Sequence, residues 1–417
     1  MRAIQQRLTK SFFALLSLPS TAMGFALSVQ ISALSWILST QYQLDIHEVG
    51  IVWAAGPIAG IVGQVVIGLI SDKTWFWGGR RRPFIWIGGT MASLSLLALP
   101  YLGAISESTG IKLLAVALPV ALLLDLSINI SFNPTRSIIA DVTPEGDKRT
   151  QGYTWMQTIS GMFGVLAYAI GAISGNYTLI YFSVFLVFLF SMLPPMFIEE
   201  PITLITTGPS AAEGKASSQG ELYRIYVAHG FCWLGVQTMF VYMIFFVKEN
   251  MLITADDASG QVVSISFLVL NTVGFILPAF VLEPLARKIG RVRVHTLSMV
   301  CMAAGYLLIV IAGTSPVLVY TFMAIAGIGW AATVSLPFAI MTEKVDKRKM
   351  GFFMGIFNLS VVIPQLLVSL VLGGIIQVAA DKSIIFIISA VSLGLSAIMW
   401  TFVKEEAVGQ QPTTSPR

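Results

Sequence analysis

Apolar runs of roughly 20 residues recur along the whole of this chain, each long enough to cross a bilayer as a helix. In hydrocarbon the backbone must satisfy its own hydrogen bonds, which leaves helices or a closed barrel. Barrel strands alternate apolar and polar residues over about 10 positions, and no such alternation occurs here. Only 11% of the residues are charged against 56% hydrophobic, where a soluble chain carries about a quarter charged. The chain therefore reads as an all-α, multi-pass membrane protein. Spans are expected at 11–38, 47–70, 83–104, 112–138, 151–173, 177–198, 223–247, 261–282, 293–313, 316–340, 351–376 and 383–403.

The N-terminus is basic and then apolar, as in a signal peptide. Its apolar run reaches Leu38, too long for a cleaved segment, so it reads as the first retained span. Sorting the lysines and arginines by loop puts about 22 of the 25 on the side of the N-terminus, leaving Lys112, Lys248 and Lys382 on the other. By the positive-inside rule both termini are cytoplasmic, with the chain in the cell's inner membrane. The net charge of +4 thus reflects topology, and nucleic-acid binding has no support. Cys232 and Cys301 lie in apolar runs and read as core thiols.

The Ser-, Gly- and Ala-rich segment 199–221 falls at the midpoint and reads as a cytoplasmic linker. On either side of it motifs repeat. Asp72 and Gly79-Arg80 recur as Glu283 and Gly290-Arg291, offset by 211; "DKRTQG" from Asp147 recurs as "DKRKMG" from Asp346, offset by 199. Both pairs sit at equivalent turns, which predicts two pseudo-symmetric six-helix lobes, 1–198 and 222–404, and a cytoplasmic tail, 405–417.

The fourth span, "LLLDLSINISFNPTRSIIAD", carries a polar stripe. Asp125 is mid-span, roughly 20 Å from either flank at 1.5 Å per residue. Asn129, Asn133 and Arg136 follow at +4, +8 and +11, within an arc of about 80° on one helix face. Charges in hydrocarbon are costly unless they face a wet cavity or a partner, so the stripe is expected to face a central cavity. A carboxyl there can take up and release a proton, as a proton-coupled carrier requires. The structural alternatives are an acid paired with Arg136, three turns away, or polar glue between helices. Amides elsewhere in the spans (Gln30, Gln64, Gln157, Gln237, Asn271, Asn358, Gln365), with Trp155, Trp233 and Trp330, suit sugar hydroxyls and sugar faces, though each alone is as often packing.

The stretch "GLISDKTWFWGGRRR" resembles the loop between spans two and three of the major facilitator superfamily. "WAAGPIAGIVGQVVIGLISD", "LNTV", "EPLARKIG" and "GIFNLSVVIPQLLVS" are similar to its glycoside–pentoside–hexuronide cation symporters, in the sucrose-transporter-like branch. The resemblance implies the twelve-helix major facilitator fold and a monomer whose partners are a small sugar-like solute and the bilayer. It implies no cofactor beyond a transported proton and no metal. It makes Asp125 the proton-coupling acid and Arg136 a group that assists substrate or closes the cavity. Gln30, Asn129, Asn271 and Asn358 become candidate substrate contacts. Asp72, Arg80, Arg81, Arg82, Asp141, Glu283 and Arg291 become a cytoplasmic gate, with Asp72 near the start of span eleven and Arg80 to Arg82 within reach of Asp141.

Two features depart from the plant proteins of that branch. "FVKENM" stands where they carry an aspartate-rich turn, and Val262 aligns with an arginine. The resemblance therefore implies the family more strongly than sucrose itself, and Glu249, Asp256 and Asp257 do not replace the missing acids. His229, near the start of span seven, is not expected to relay protons, and "NYT" at Asn176 sits in a loop too short for glycosylation. The expectation is a proton-coupled symporter importing a small sugar or glycoside, sucrose- or maltose-like, by alternating access. The alternatives are an exporter or antiporter of another solute, or a membrane sensor without turnover. Nothing in the chain reads as an enzyme motif.

Overall fold

A computed structural model describes residues 5–60, 70, 74–144, 147–201, 219–345 and 350–404. The described elements are helices: α1 (Lys10–Thr40), α2 (Ile46–Trp53), α3 (Arg82–Thr109), α4 (Leu113–Val142), α5 (Asp147–Ser174), α6 (Asn176–Met196), α7 (Gln219–Glu249), α8 (Asp256–Ile289), α9 (Arg291–Val310), α10 (Pro316–Glu343), α11 (Met350–Leu367, continuing to Val378) and α12 (Ile384–Trp400). Ten of these are long and apolar enough to cross a membrane; α12, with 17 residues, is shorter. Most of the expected second span, with Gln64 and Asp72, lies outside the described residues, as do most of the linker 199–221, the tail 405–417 and residues 346–349 of the second "DKR" turn.

The helix ends follow local chemistry. Asp45 and Glu48 form a capping box at the start of α2, each satisfying a backbone N–H of the other that the first turn leaves open. Thr9 accepts from the Phe12 N–H at the start of α1. Three helices are interrupted by five-residue π segments: Gln30–Leu34 in α1, Pro278–Leu282 in α8 and Val368–Leu372 in α11. A π turn inserts one residue, which rotates the helix face on either side of it.

Two compact units emerge. The first comprises Met1–Ser210, Phe240–Leu268 and Gln365–Lys382; the second comprises Ala211–Met239, Val269–Pro364 and Ser383–Arg417. In the first unit, Phe12, Phe13, Leu16, Ile85, Ile138, Ile139, Met156 and Ile198 form a buried core that joins α1, α3, α4 and α5 near the basic loop at 80–82.

At the opposite end of the same unit, the outer end in the expected topology, α1 and α2 are joined to the adjoining parts of α7, α8 and α11. The Trp36 indole N–H donates to the Asp256 carbonyl at 2.8 Å, and Gln41 Nε2 to Asp256 Oδ2 at 3.1 Å. Gln377 Nε2 donates to Asp45 Oδ2 at 3.2 Å and accepts the His47 N–H at 2.9 Å. Ser32 and Ser264 share a 2.9 Å hydrogen bond, and Ser264 donates to Asn176 Oδ1 at 3.1 Å. Gly50 permits the closest approach: a Cβ there would lie 2.4 Å from the Ser369 carbonyl oxygen and 2.5 Å from the Tyr242 hydroxyl.

Candidate functional site

The polar stripe on α4 divides into two environments. Asp125 is 6% exposed and Gln30, across on α1, is 3% exposed. Gln30 Nε2 donates to Asp125 Oδ2 at 3.0 Å. Asn129 turns back along its own helix, its Nδ2 donating to the Asp125 carbonyl at 2.8 Å. Asn133 is half-buried, whereas Arg136 is exposed, its guanidinium 4.1 Å over the Phe132 ring. Among the described residues no ion pair joins Asp125 to Arg136. Asp125 is thus hydrogen-bonded across helices to a neutral amide rather than paired with Arg136. Spacing along α4 placed the acid on a polar face; its partner, 95 residues away in sequence, had no local signal.

In the second unit a run of aromatic and polar side chains links α7, α8, α10 and α11. Trp330 Nε1 donates to Asn271 Oδ1 at 3.1 Å, and the Trp330 and Trp233 rings meet edge to face with centroids 6.3 Å apart. Trp233 Nε1 donates to His229 Nε2 at 3.0 Å, His229 stacks on Phe357 at 4.4 Å, and its Nδ1 lies 2.9 Å from Ser360 Oγ. An indole N–H can only donate, so His229 Nε2 is the accepting nitrogen and the proton sits on Nδ1, facing Ser360. Both ring nitrogens are hydrogen-bonded, which holds His229 as part of the wall. Asn358, next to Phe357, is half-buried. These faces and amides match what a sugar requires, apolar rings to stack on beside neutral donors and acceptors.

The basic loop is built around two carboxylates. Arg81 Nε contacts Asp141 Oδ2 at 2.9 Å, both side chains being at least nine-tenths buried. Arg82 donates to the Ile198 carbonyl and lies 5.7 Å over Trp86. The second carboxylate, Glu200, lies outside the predicted set. It accepts the backbone N–H groups of Arg80, Arg81 and Arg82 at 2.8, 2.7 and 2.8 Å, capping the start of α3, which has no side-chain cap of its own. A negative charge is favoured at that end of a helix. Gly79 makes room, since a Cβ there would lie 2.5 Å from Glu200 Oε1. The signal was present in the sequence as two acids directly after the sixth apolar run, but a cap from about 120 residues away has no spacing rule. Glu200→Ala should cost about 1.5–3 kcal/mol, the worth of hydrogen bonds to a charged group. A detergent-solubilised variant that melts with the parent would contradict the cap.

Arg149 Nη2 donates to the Ala140 and Thr143 carbonyls, closing the end of α4. In the second unit Glu283 pairs with Arg287, four residues on, a partner that the repeated loop motif does not include. Glu283, Arg287 and Arg291 border a cavity of about 460 Å³ that Ser335 and Leu336 also line. Asp72, expected near the start of α11, lies outside the described residues. Asn176 is the first residue of α6 and buried, rather than in a loop. "FVKENM" adds to the junction that joins α1 and α2 to α7, α8 and α11 in the first unit. Lys248 Nζ donates to the Ser39 carbonyl at 3.2 Å, Asn250 binds Asp381 and the Lys382 N–H, and Glu249 lies 3.5 Å from Lys382 Nζ.

A family model described as Major Facilitator Superfamily matches residues 16–369 and 251–417. The chain is 25% identical to sucrose transport protein SUC4 of Arabidopsis thaliana, over 85% of this chain and 82% of that one. It is 27% identical to sucrose transport protein SUT2 of Oryza sativa subsp. indica, over 84% and 85%. Its fold matches that of the xylose transporter XylE from E. coli, in an inward open conformation, with a TM-score of 0.72 at 15% identity, over 95% of this chain and 97% of that one.

Proposed function

The chain belongs to the major facilitator superfamily, and from that premise we propose that it is a proton-coupled symporter importing a small sugar or glycoside by alternating access. It is a multi-pass membrane transporter rather than an enzyme, as are its relatives. The observation that carries the proposal is Asp125, a buried acid on a membrane helix held by the neutral Gln30 amide. An ionisable group in such a place is costly, and acids that persist there line ion and proton routes. Similarity to sucrose transport proteins over most of both chains supports a sugar as the solute. In the second unit Asn271, Trp330, Trp233 and Phe357 offer one wall for it, with Asn358 beside them; in the first unit Asn129 and Arg136 on α4 are separate candidates for contact.

In this reading the chain forms two six-helix halves, 1–198 and 222–404, twelve spans in all, joined by the cytoplasmic linker 199–221 and followed by the tail 405–417. It acts as a monomer in the inner membrane with both termini cytoplasmic. Asp72, Arg80, Arg81, Arg82, Asp141, Glu283 and Arg291 form the cytoplasmic gate in this reading, and the contacts of the basic loop with Asp141 and Glu200 hold that loop in place within the first unit. A panel of labelled mono- and disaccharides in counterflow with reconstituted protein tests the substrate class. At least one glucoside should exchange, and competition by unlabelled sugars should follow hydroxyl pattern. Exchange of another solute class with none of the sugars would overturn the sugar assignment.

A further inference from the structure

Gln30 is the first residue of the π segment in α1, and its side chain is the hydrogen-bond donor to the Asp125 carboxyl. Among the described residues no other side chain is hydrogen-bonded to that carboxyl, and no ion pair reaches it. An amide has an opposite face: Nε2 donates to a carboxylate, while Oε1 accepts from a protonated acid. Taking up a proton leaves the acid a carbonyl oxygen for Nε2 but removes the charge that strengthens that bond, and it adds an O–H that only Oε1 can accept, so the two forms of the acid hold the amide differently. Gln30 is nearly fully buried, so it has little room to turn without moving the helix that carries it.

The π segment is where that helix has room to move. Two residues beyond Gln30, Ser32 bonds Ser264 on α8, and Trp36, just past the segment, bonds the Asp256 carbonyl. Both belong to the outer junction of the first unit. One short stretch of α1 thus touches the acid at its start and the junction at its end. A change in how Gln30 is held need be relayed only through the five residues of the segment.

We infer that Gln30 is a positioning residue that reads the protonation state of Asp125 and transmits it through the π segment to the outer junction. In this role Gln30 acts on coupling through Asp125 rather than as the substrate contact that its place in the sequence suggested. This inference rests on the reading of Asp125 as the coupling acid. Glutamine suits the role because it bonds either form of the acid; a hydrophobe bonds neither.

The test uses the full-length protein with Cys232 and Cys301 replaced by serine and a reporter, Ser259→Cys, in the first turn of α8. Ser259 is fully buried at the junction. In the parent, reporter labelling by an impermeant thiol reagent, expressed relative to a free small thiol at the same pH so that the changing thiolate fraction cancels, should change between acidic and neutral medium, and so should uptake. Gln30→Met keeps the bulk without the amide. It should reduce both pH responses on the order of tenfold, the weight of a hydrogen bond to a charged group, while counterflow continues. A structural residue would lower counterflow and uptake together and leave the pH profile in place, and that result would overturn the inference. Where Gln30→Met fails to insert, Gln30→Leu also removes the amide without adding a titratable group and decides on the same two readouts. Asp125→Asn, measured in parallel, separates the two ideas. If it retains the parent's pH response, the coupling assignment itself fails; if it loses the response and Gln30→Met does not, only the role of Gln30 fails.

Discussion

Asp125→Asn should abolish accumulation of sugar against its gradient when a proton gradient is imposed, while sugar exchange down its own gradient continues. The substitution keeps the size of the side chain and can still hydrogen-bond Gln30, so α1 and α4 should pack as before. What it removes is the only proton that this buried position can gain or lose. Symport by alternating access requires the loaded and empty carriers to reorient while the half-loaded forms do not, and that asymmetry is lost when the site no longer titrates. The expected size is large: accumulation falling to the equilibrium ratio rather than by a modest factor. Comparing gradient-driven uptake with counterflow in the same vesicles checks it. A variant that still concentrates sugar would remove Asp125 from the coupling role.

The second large effect is steric. Gly50→Val places a branched side chain where a single Cβ already comes within 2.4 Å of the Ser369 carbonyl oxygen. A backbone carbonyl has no rotamer with which to escape, so α2 and the π segment of α11 must move apart. Overpacking of this kind costs about 1–3 kcal/mol, which shifts a two-state balance on the order of tenfold to a hundredfold. That end of the first unit, the outer one in the proposed topology, is joined in this structure, so the variant should favour states in which it is open. Labelling of Ser259→Cys from outside should rise, sugar binding should persist, and net uptake should fall at least tenfold. Parent-like labelling and uptake would mean that the Gly50 contact is not part of the transport cycle.

The residues behind these outcomes differ in how far a linear pattern displays them. The long apolar runs led to a helical membrane protein, and the period of α4 led to one polar face holding Asp125, Asn129 and Arg136, because both are local properties of a helix. The contact of the basic loop with Asp141 was legible only by analogy with related loops. Glu200 was not legible, since its three acceptor bonds go to backbone N–H groups that sequence does not display. Gln30 stood out only as one polar residue among several. Its importance comes from meeting Asp125 across two helices and from starting a π segment, and neither follows from spacing along the chain. Asp72 shows the reverse case, a residue prominent in the sequence that lies outside the described residues.

The central claim is that sugar and proton move inward together. Purified protein reconstituted into weakly buffered vesicles, without any imposed gradient, allows this to be measured directly with a pH electrode in the medium. Adding a transported sugar outside should alkalinise the medium at once, in proportion to the sugar taken up. A protonophore should abolish the signal, and Asp125→Asn should not produce it. Sugar entering with no change in external pH in the parent protein, or with a signal that requires sodium, would contradict the account.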